Sequence, residues 1–421
     1  MALSRSPRVA IIVLGLASNL ALAFYAFTLH RASARLPNVL LVTVDCLRAD
    51  CVVLDRTNRS VVRGAVATIM PFTRSLAVAG LSCPRAYAHC SITEEASRSL
   101  FTSRTIRRDL ETRDLDAAPA LQQVLAAKGY KTGAFLSWGA FLRPRHAERF
   151  TRGFSVFDSA PEQVRADDET TANAERWVRS VSGSAPWFAW VMLWDAHPRP
   201  GLRFTPQLYL QTLTRDDGLI ERLVKTVDAL GEADSTVVVA TGIHGIELMP
   251  YERSSQMEEH RLRVPLVFCY PRKLAAGQQI ASRVGHVDVM PTLLTLLGLP
   301  PVPSMMGRSL LEGPLAERPL YGETPDEARA IWEGPWKLVV YDKDARFWRP
   351  DGAPTVLHVA GSKALYNVEQ DPDERDDEAA LYPRRVARLE ALMKPYEVPH
   401  VHVDDTPSPG LRKALQEHGY W

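Results

Sequence analysis

Five short, uninterrupted apolar runs constrain this chain most: Val39 to Val44, Thr132 to Leu136, Trp187 to Leu193, Thr236 to Ala240 and Val264 to Cys269. Continuous rather than alternating apolarity marks strands buried on both faces, as happens when helices cover both sides of a parallel sheet. Helical patterns such as Ala120 to Ala127 and Ile220 to Leu230 lie between the runs. Strands alternating with helices predict an α/β fold with a large, mostly parallel sheet. The first run, inside NVLLVTVDCLRAD, ends on Asp45, and the carboxyl ends of strands are where open α/β sheets carry their sites.

Residues 9 to 29, VAIIVLGLASNLALAFYAFTL, contain no charge. Their 21 residues match the ~20 apolar residues with which a helix crosses a bilayer. This predicts a single-pass signal anchor; a cleaved signal peptide and a buried core helix are the alternatives. Arg5 and Arg8 precede the run and Arg31 and Arg35 follow it, so flanking charge leaves the orientation open. The chain then divides into a tail at 1–8, the transmembrane helix at 9–29, a polar linker at 30–37 and a main lobe at 38–312. From 313 the pattern shifts to short antiparallel strands, an acidic turn at Asp371 to Glu378 and a basic amphipathic helix at 384–394. That shift predicts a small carboxyl-terminal lobe with its tail over 313–421.

A formal net charge of +1 argues against a polyanion-binding surface, so nucleic acid is not expected as a partner. The cysteines Cys46, Cys51, Cys83, Cys90 and Cys269 are odd in number and too few for a disulfide scaffold. Local bridges, Cys46 with Cys51 or Cys83 with Cys90, and buried thiols are both open readings.

Asp45 at a strand end, with Asp50 a little further on, offers hard carboxylate oxygens for a divalent cation, and a later hydroxyl or thiol could be the nucleophile activated there. In Thr241-Gly-Ile-His-Gly, His244 follows another strand, where it reads either as a ligand or as a turn residue.

Taken together, these segments resemble the sulfatase family, of alkaline phosphatase-like fold. PNVLLVTVDCLRAD is similar to that family's opening strand, and MPFTRSLAVAGLSCPRAYAHCSITEEASRSLFTSR to its nucleophile segment. GYKTGAFLS with RGFSVFD, WFAWVMLWDAHPRPG, STVVVATGIHGIE, RVPLVF, HVDVMPTLLTLLGLP, GRSLL, WKLVVYD and ALYNVEQDPDE follow in family order. The resemblance implies an α/β main domain with a small antiparallel lobe, and a main domain outside the cytoplasm, on the periplasmic side in a bacterium. It also implies a sulfated or phosphorylated ester or glycan as ligand.

Carried over position by position, the resemblance makes Asp45 and His244 metal ligands, Thr93 the catalytic nucleophile and His197, in WDAHPRP, a contact to the substrate anion. Calcium, magnesium or manganese would be the cofactor. The departures are specific. Cys46 stands where the family has a second aspartate, and Ile243 stands where it has the aspartate before His244. Ser97 occupies the position of the arginine that follows the nucleophile, with Arg98 one residue late. Formylglycine maturation reads Cys-x-Pro-x-Arg, so no formylglycine is expected here. With two carboxylates gone, cation affinity should fall, because it follows ligand charge. Glu94 and Glu95 either compensate as ligands, toward a transition metal such as manganese or zinc, or simply open a helix. The missing carboxylates favour an impaired enzyme or a pseudoenzyme that binds an anionic ligand or partner; the alternative is an active metal-dependent hydrolase or transferase using Thr93.

Overall fold

A computed structural model of the chain describes residues 36–52, 69–106, 117–139, 144–160, 164–198, 204–248, 256–313, 315–325, 327–348 and 354–397. The apolar run at 9–29 and the last residues, from 398, lie outside them. Among the described residues no helix is long and apolar enough to cross a membrane.

The chain opens with β1 (Asn38–Val44), then α1 (Pro71–Ala79), β2 (Leu81–Ser82), β3 (Ala86–Tyr87), α2 (Thr93–Thr102) and α3 (Leu121–Ala127). It continues through β4 (Lys131–Leu136), α4 (Pro144–Thr151), β5 (Val156–Ser159), α5 (Asp167–Val181), β6 (Trp187–Leu193), α6 (Pro206–Ala229) and β7 (Thr236–Gly242). After the short α7 (Glu259–Leu262) come β8 (Arg263–Val264), β9 (Leu266–Cys269), β10 (Gln278–Gln279), β11 (Val284–Gly285) and α8 (Val289–Leu297).

β10, β2, β9, β7, β1, β6, β4 and β5 form one eight-stranded sheet in that order. Its centre is parallel: β1 pairs with β6 on one side and β7 on the other, and β4 pairs with β6 and β5. Every residue of β1, β6 and β7 is buried, which explains why these strands read as continuous apolar runs. The expected run Val264 to Cys269 behaves differently. It splits at Pro265, whose missing N–H cannot join a ladder; β8 pairs with β3 in a second small sheet, while β9 lies antiparallel to β7. The main sheet is therefore mixed, with an antiparallel edge.

The carboxyl-terminal part is antiparallel. β12 (Leu320–Glu323), β13 (Ala328–Glu333), β14 (Trp336–Tyr341) and β17 (Lys363–Asn367) form a four-stranded sheet, with β15 (Ala345–Trp348) and β16 (Pro354–His358) as a separate hairpin. The expected basic helix is α9 (Pro383–Met393), which buries Leu389 and Met393 in a cluster with Ile331, Leu338 and Leu365.

Two features of this fold position a site. Val44 is in register with Leu193 of β6 and Gly242 of β7, so the residues after three central strands emerge side by side. Packed beside these strand ends is α2, all ten of whose residues are buried. Phe101 anchors it edge-on to Trp190 at 4.7 Å between ring centres, with Phe150 and Phe154 against the same rings. Large aromatic contacts of this kind fix a helix in both rotation and height.

Candidate active site

Asp45 is the first residue beyond β1. Its N–H donates to Leu193 O at 2.9 Å, while the Ile243 N–H donates to Val44 O at 3.0 Å. The two hydrogen bonds extend the parallel ladder by one residue on each side and aim Asp45 at the space beyond the sheet. Thr93 is the first residue of α2. His244 lies two residues past β7.

These three side chains meet. Thr93 Oγ1 lies 3.2 Å from Asp45 Oδ1 and 3.2 Å from His244 Nε2, and His244 Nε2 lies 3.3 Å from Asp45 Oδ1. The three atoms form a nearly equilateral triangle. His244 Nδ1 is 2.7 Å from Gly245 O; a carbonyl can only accept, so the ring proton is assigned to Nδ1 and the lone pair to Nε2. The single Thr93 hydroxyl proton cannot serve both neighbours at once, which leaves lone-pair density converging on one point.

The triangle fits a small cation. Donor atoms about 3.3 Å apart are what a tetrahedral ion with bonds of about 2.0–2.1 Å has around it. One carboxylate, one imidazole and one hydroxyl suit zinc or manganese better than calcium, which gathers six to eight oxygens. The bond from His244 Nδ1 to a backbone carbonyl is also the outer support that metal-ligating histidines use.

Cys46 and His197 close the other side of Asp45. One ligand atom each from Asp45, Cys46 and His197 lies within 4.8 Å of the others, and Cys46 Sγ is 3.7 Å from Asp45 Oδ2. Burial first, and then the Asp45 charge, pushes the Cys46 thiol well up from its usual range. Its backbone is left-handed, φ 58°, a conformation uncommon outside glycine that persists where surroundings enforce it. Tyr209 Oη enforces it here, donating to Cys46 O at 2.7 Å and accepting from the Arg48 N–H at 3.3 Å. His197 stacks on Trp194 with ring centres 4.2 Å apart and has Nδ1 2.6 Å from Pro198 O.

Other expected ligands are engaged elsewhere. Asp50 is paired with the Arg48 guanidinium at 3.0 Å, and Glu94 with Arg98 at 3.0 Å along one face of α2. Glu94 and Glu95 both lie in the first turn of that buried helix, in keeping with helix opening. Ile243 is fully buried. All five cysteines are buried free thiols, so neither local bridge forms.

Three further residues support the site. Asp167, at the start of α5, accepts from the N–H groups of Trp194 and Asp195, both at 2.8 Å, and so ties down the turn that carries His197. His286 Nε2 lies 3.1 Å from Gly242 O; burial, then the neighbouring His89, lowers its pKa to about 3, which keeps it neutral behind β7. Tyr209, in the middle of α6, reads in sequence as one more apolar helix position. All three act across long sequence separations, which local pattern does not report.

Comparison with known proteins gives this geometry a context. Over 180 residues the chain is 29% identical to the inner membrane protein YejM of Salmonella typhi, a match covering 42% of this chain and 30% of that one. Over 208 residues it is 25% identical to arylsulfatase K of Xenopus laevis, covering 44% and 36%. The chain thus spans about a third of the length of these relatives. Among solved structures, the phosphonate monoester hydrolase of Silicibacter pomeroyi superposes with a TM-score of 0.65 at 16% identity, covering 87% of this chain and 96% of that one. A structure of Ps i-CgsB with a neocarrahexaose superposes with a TM-score of 0.66 at 17% identity, covering 91% and 98%. The family model described as Sulfatase matches residues 37–299, well over half of the sequence, and on that match the chain belongs to the sulfatase family.

Proposed function

We propose that the chain is a divalent-cation-dependent hydrolase or transferase of phosphate or sulfate esters, with Thr93 as its nucleophile. The contact of Thr93 Oγ1 with both Asp45 Oδ1 and His244 Nε2 carries this reading. Asp45, Thr93 and His244 would hold the cation, and manganese or zinc suits that donor set better than calcium or magnesium. When bound, the ion supplies positive charge that lowers the hydroxyl pKa and polarises the ester.

The chain's own residues account for the rest. Thr93 sits at the amino end of α2, where unsatisfied amides and the helix dipole favour an alkoxide and an anionic substrate. Asp45 and His244 orient its hydroxyl. His197, held against Trp194, is assigned to the anionic oxygens of the ester. Thr93 Oγ1 gives up its proton to solvent and forms a bond to phosphorus or sulfur as the bond to the ester oxygen breaks and that oxygen leaves with a proton from solvent. Water, or an acceptor hydroxyl, then attacks the transferred group, losing its proton to solvent as Thr93 Oγ1 departs and is reprotonated. The nucleophile is threonine itself, because the segment carries no Cys-x-Pro-x-Arg pattern for formylglycine maturation: Cys90 is followed by Ser-Ile-Thr-Glu.

A second reading, a pseudoenzyme that binds an anionic ester or a partner without turnover, has its own support. Cys46 and Ile243, both buried, end the two central strands without the expected carboxylates, and Arg98 is taken up by Glu94. Under either reading the apolar run at 9–29 and the likeness to an inner membrane protein support a single-pass anchor with the folded part outside the cytoplasm.

The test is a turnover screen of the full chain on aryl phosphate, sulfate and phosphonate esters, with calcium, magnesium, manganese and zinc in turn. The proposal expects cation-dependent turnover, abolished by chelation and by Thr93→Ala. A folded chain that binds an ester but turns none over with any cation would leave the pseudoenzyme reading in its place.

A further inference from the structure

A second group of ligand-type side chains lies at the rim of the site, on residues that neither the family pattern nor the proposed mechanism uses. His260 Nε2 is 2.7 Å from Glu247 Oε2 and 3.1 Å from Glu258 Oε2. One ligand atom each from Glu247, Glu258 and His260 lies within 4.8 Å of the others. The three side chains are 11%, 14% and 18% exposed, respectively, so they are largely dry yet reachable from solvent. They come from two segments: Glu247 from the turn after β7, and Glu258 and His260 from the cap and the first turn of α7.

A ring nitrogen presents one proton or one lone pair in one direction, and two carboxylate oxygens crowd this one. His260 Nε2 is buried and makes no hydrogen bond of normal geometry, so its approach to both oxygens is oblique. Two largely buried carboxylates this close favour positive charge between them. A proton on the ring supplies one charge along one line. A divalent cation supplies two and satisfies all three donors at once.

We propose that Glu247, Glu258 and His260 form a second cation site, of the one-imidazole, two-carboxylate kind that suits zinc or manganese. Its role is to clamp the turn carrying the catalytic histidine. The Gly245 N–H donates to Arg261 O at 2.7 Å, and an added Cβ on Gly245 would come within 2.1 Å of His260 O, so this turn and α7 are already in backbone contact. Gly245 O is the acceptor that orients His244. An ion held between Glu247 and α7 therefore holds the orientation of His244. The ligands must shed protons to bind it, so loading releases a proton from the histidine.

The site is independent of Asp45 and is tested without it. Zinc bound per full-length chain is measured by equilibrium dialysis and elemental analysis in Asp45→Ala, in Asp45→Ala with His260→Ala and in Asp45→Ala with Glu247→Gln. The proposal expects one zinc in the first, none in the second and affinity at least about 10-fold weaker in the third. No zinc in the folded Asp45→Ala chain, or equal zinc in the first two, would overturn it. Should the double variants fail to fold, the rise in melting temperature on adding zinc is compared between the wild type and His260→Gln: a smaller rise in the variant is the expected result, and an equal rise would refute the site. Loss of turnover with zinc retained in Asp45→Ala would speak against neither this site nor its geometry, because the two readings fail separately.

Discussion

Thr93 Oγ1 lies 3.2 Å from Asp45 Oδ1, across 48 residues of sequence. The contact exists because β1 stops one residue before Asp45 while α2 begins on Thr93, and the aromatic packing of Phe101 on Trp190 sets the height of that helix. The position of a hydroxyl next to a carboxylate and an imidazole is thus a property of the sheet and helix together.

Replacing the nucleophile separates chemistry from binding. Thr93→Ala is expected to lower kcat by about 10³-fold or more, with the fold intact and ester binding little changed. Thr93→Ser, which keeps the hydroxyl, is expected to recover most of the rate. Steady-state kinetics on the best substrate of the screen check both, and equal rates in Thr93→Ala and the wild type would remove Thr93 from the mechanism.

Ile243→Asp puts back a carboxylate that the family pattern expects. Ile243 is fully buried, so without a cation the new charge costs at least about 2 kcal/mol. With manganese or zinc that cost should be offset and cation affinity should rise at least about 10-fold. Thermal unfolding with and without cation reads the effect. A variant equally destabilised in both conditions would mean that the residue before His244 does not face the cation.

Gly245→Ala tests the close approach of the His244 turn to α7. The added Cβ would lie 2.1 Å from His260 O, a forced displacement that costs about 1–3 kcal/mol. Because Gly245 O orients His244, turnover should fall along with stability. A fall in melting temperature with unchanged kcat would detach this carbonyl from the mechanism.

The carboxyl groups behind the His197 turn predict a pH dependence of stability. Burial first, and then Asp195, pushes Asp167 up from 3.8 to about 6; burial, then Asp167, raises Asp216 as well. Each group binds its proton more tightly when folded than when unfolded. The stability they contribute is therefore complete below the unfolded value and is lost as pH rises through about 6. The melting temperature should fall as pH rises from 3.8 to about 6, and Asp216→Asn should flatten that fall. An unchanged slope in Asp216→Asn would show that this group is not a source of the dependence.

Much of this arrangement was legible in the sequence, for physical reasons that can be named. Strands buried on both faces leave continuous apolar runs, so β1, β4, β6 and β7 stood out, and a residue following such a run is placed at the sheet's carboxyl end. Asp45 and His244 were found that way, with the family resemblance adding Thr93 and His197. The run Val264 to Cys269 reads as continuous by apolarity alone, but Pro265 within it lacks the N–H a ladder needs and divides it into β8 and β9. Glu94 could be read as a ligand because a helix's first turn and a metal site both favour acids; only the contact with Arg98 separates them. Asp167, Tyr209 and the Glu247, Glu258 and His260 group left no local pattern, since their partners lie on other elements.

The central claim is that Asp45, Thr93 and His244 hold a cation, and counting ions tests it most directly. The full chain and its Asp45→Ala variant are dialysed against manganese and against zinc, and bound metal per chain is measured by elemental mass spectrometry alongside circular dichroism. The account predicts one ion fewer per chain in Asp45→Ala than in the wild type, with matching spectra. Equal ion counts in two folded proteins would contradict it.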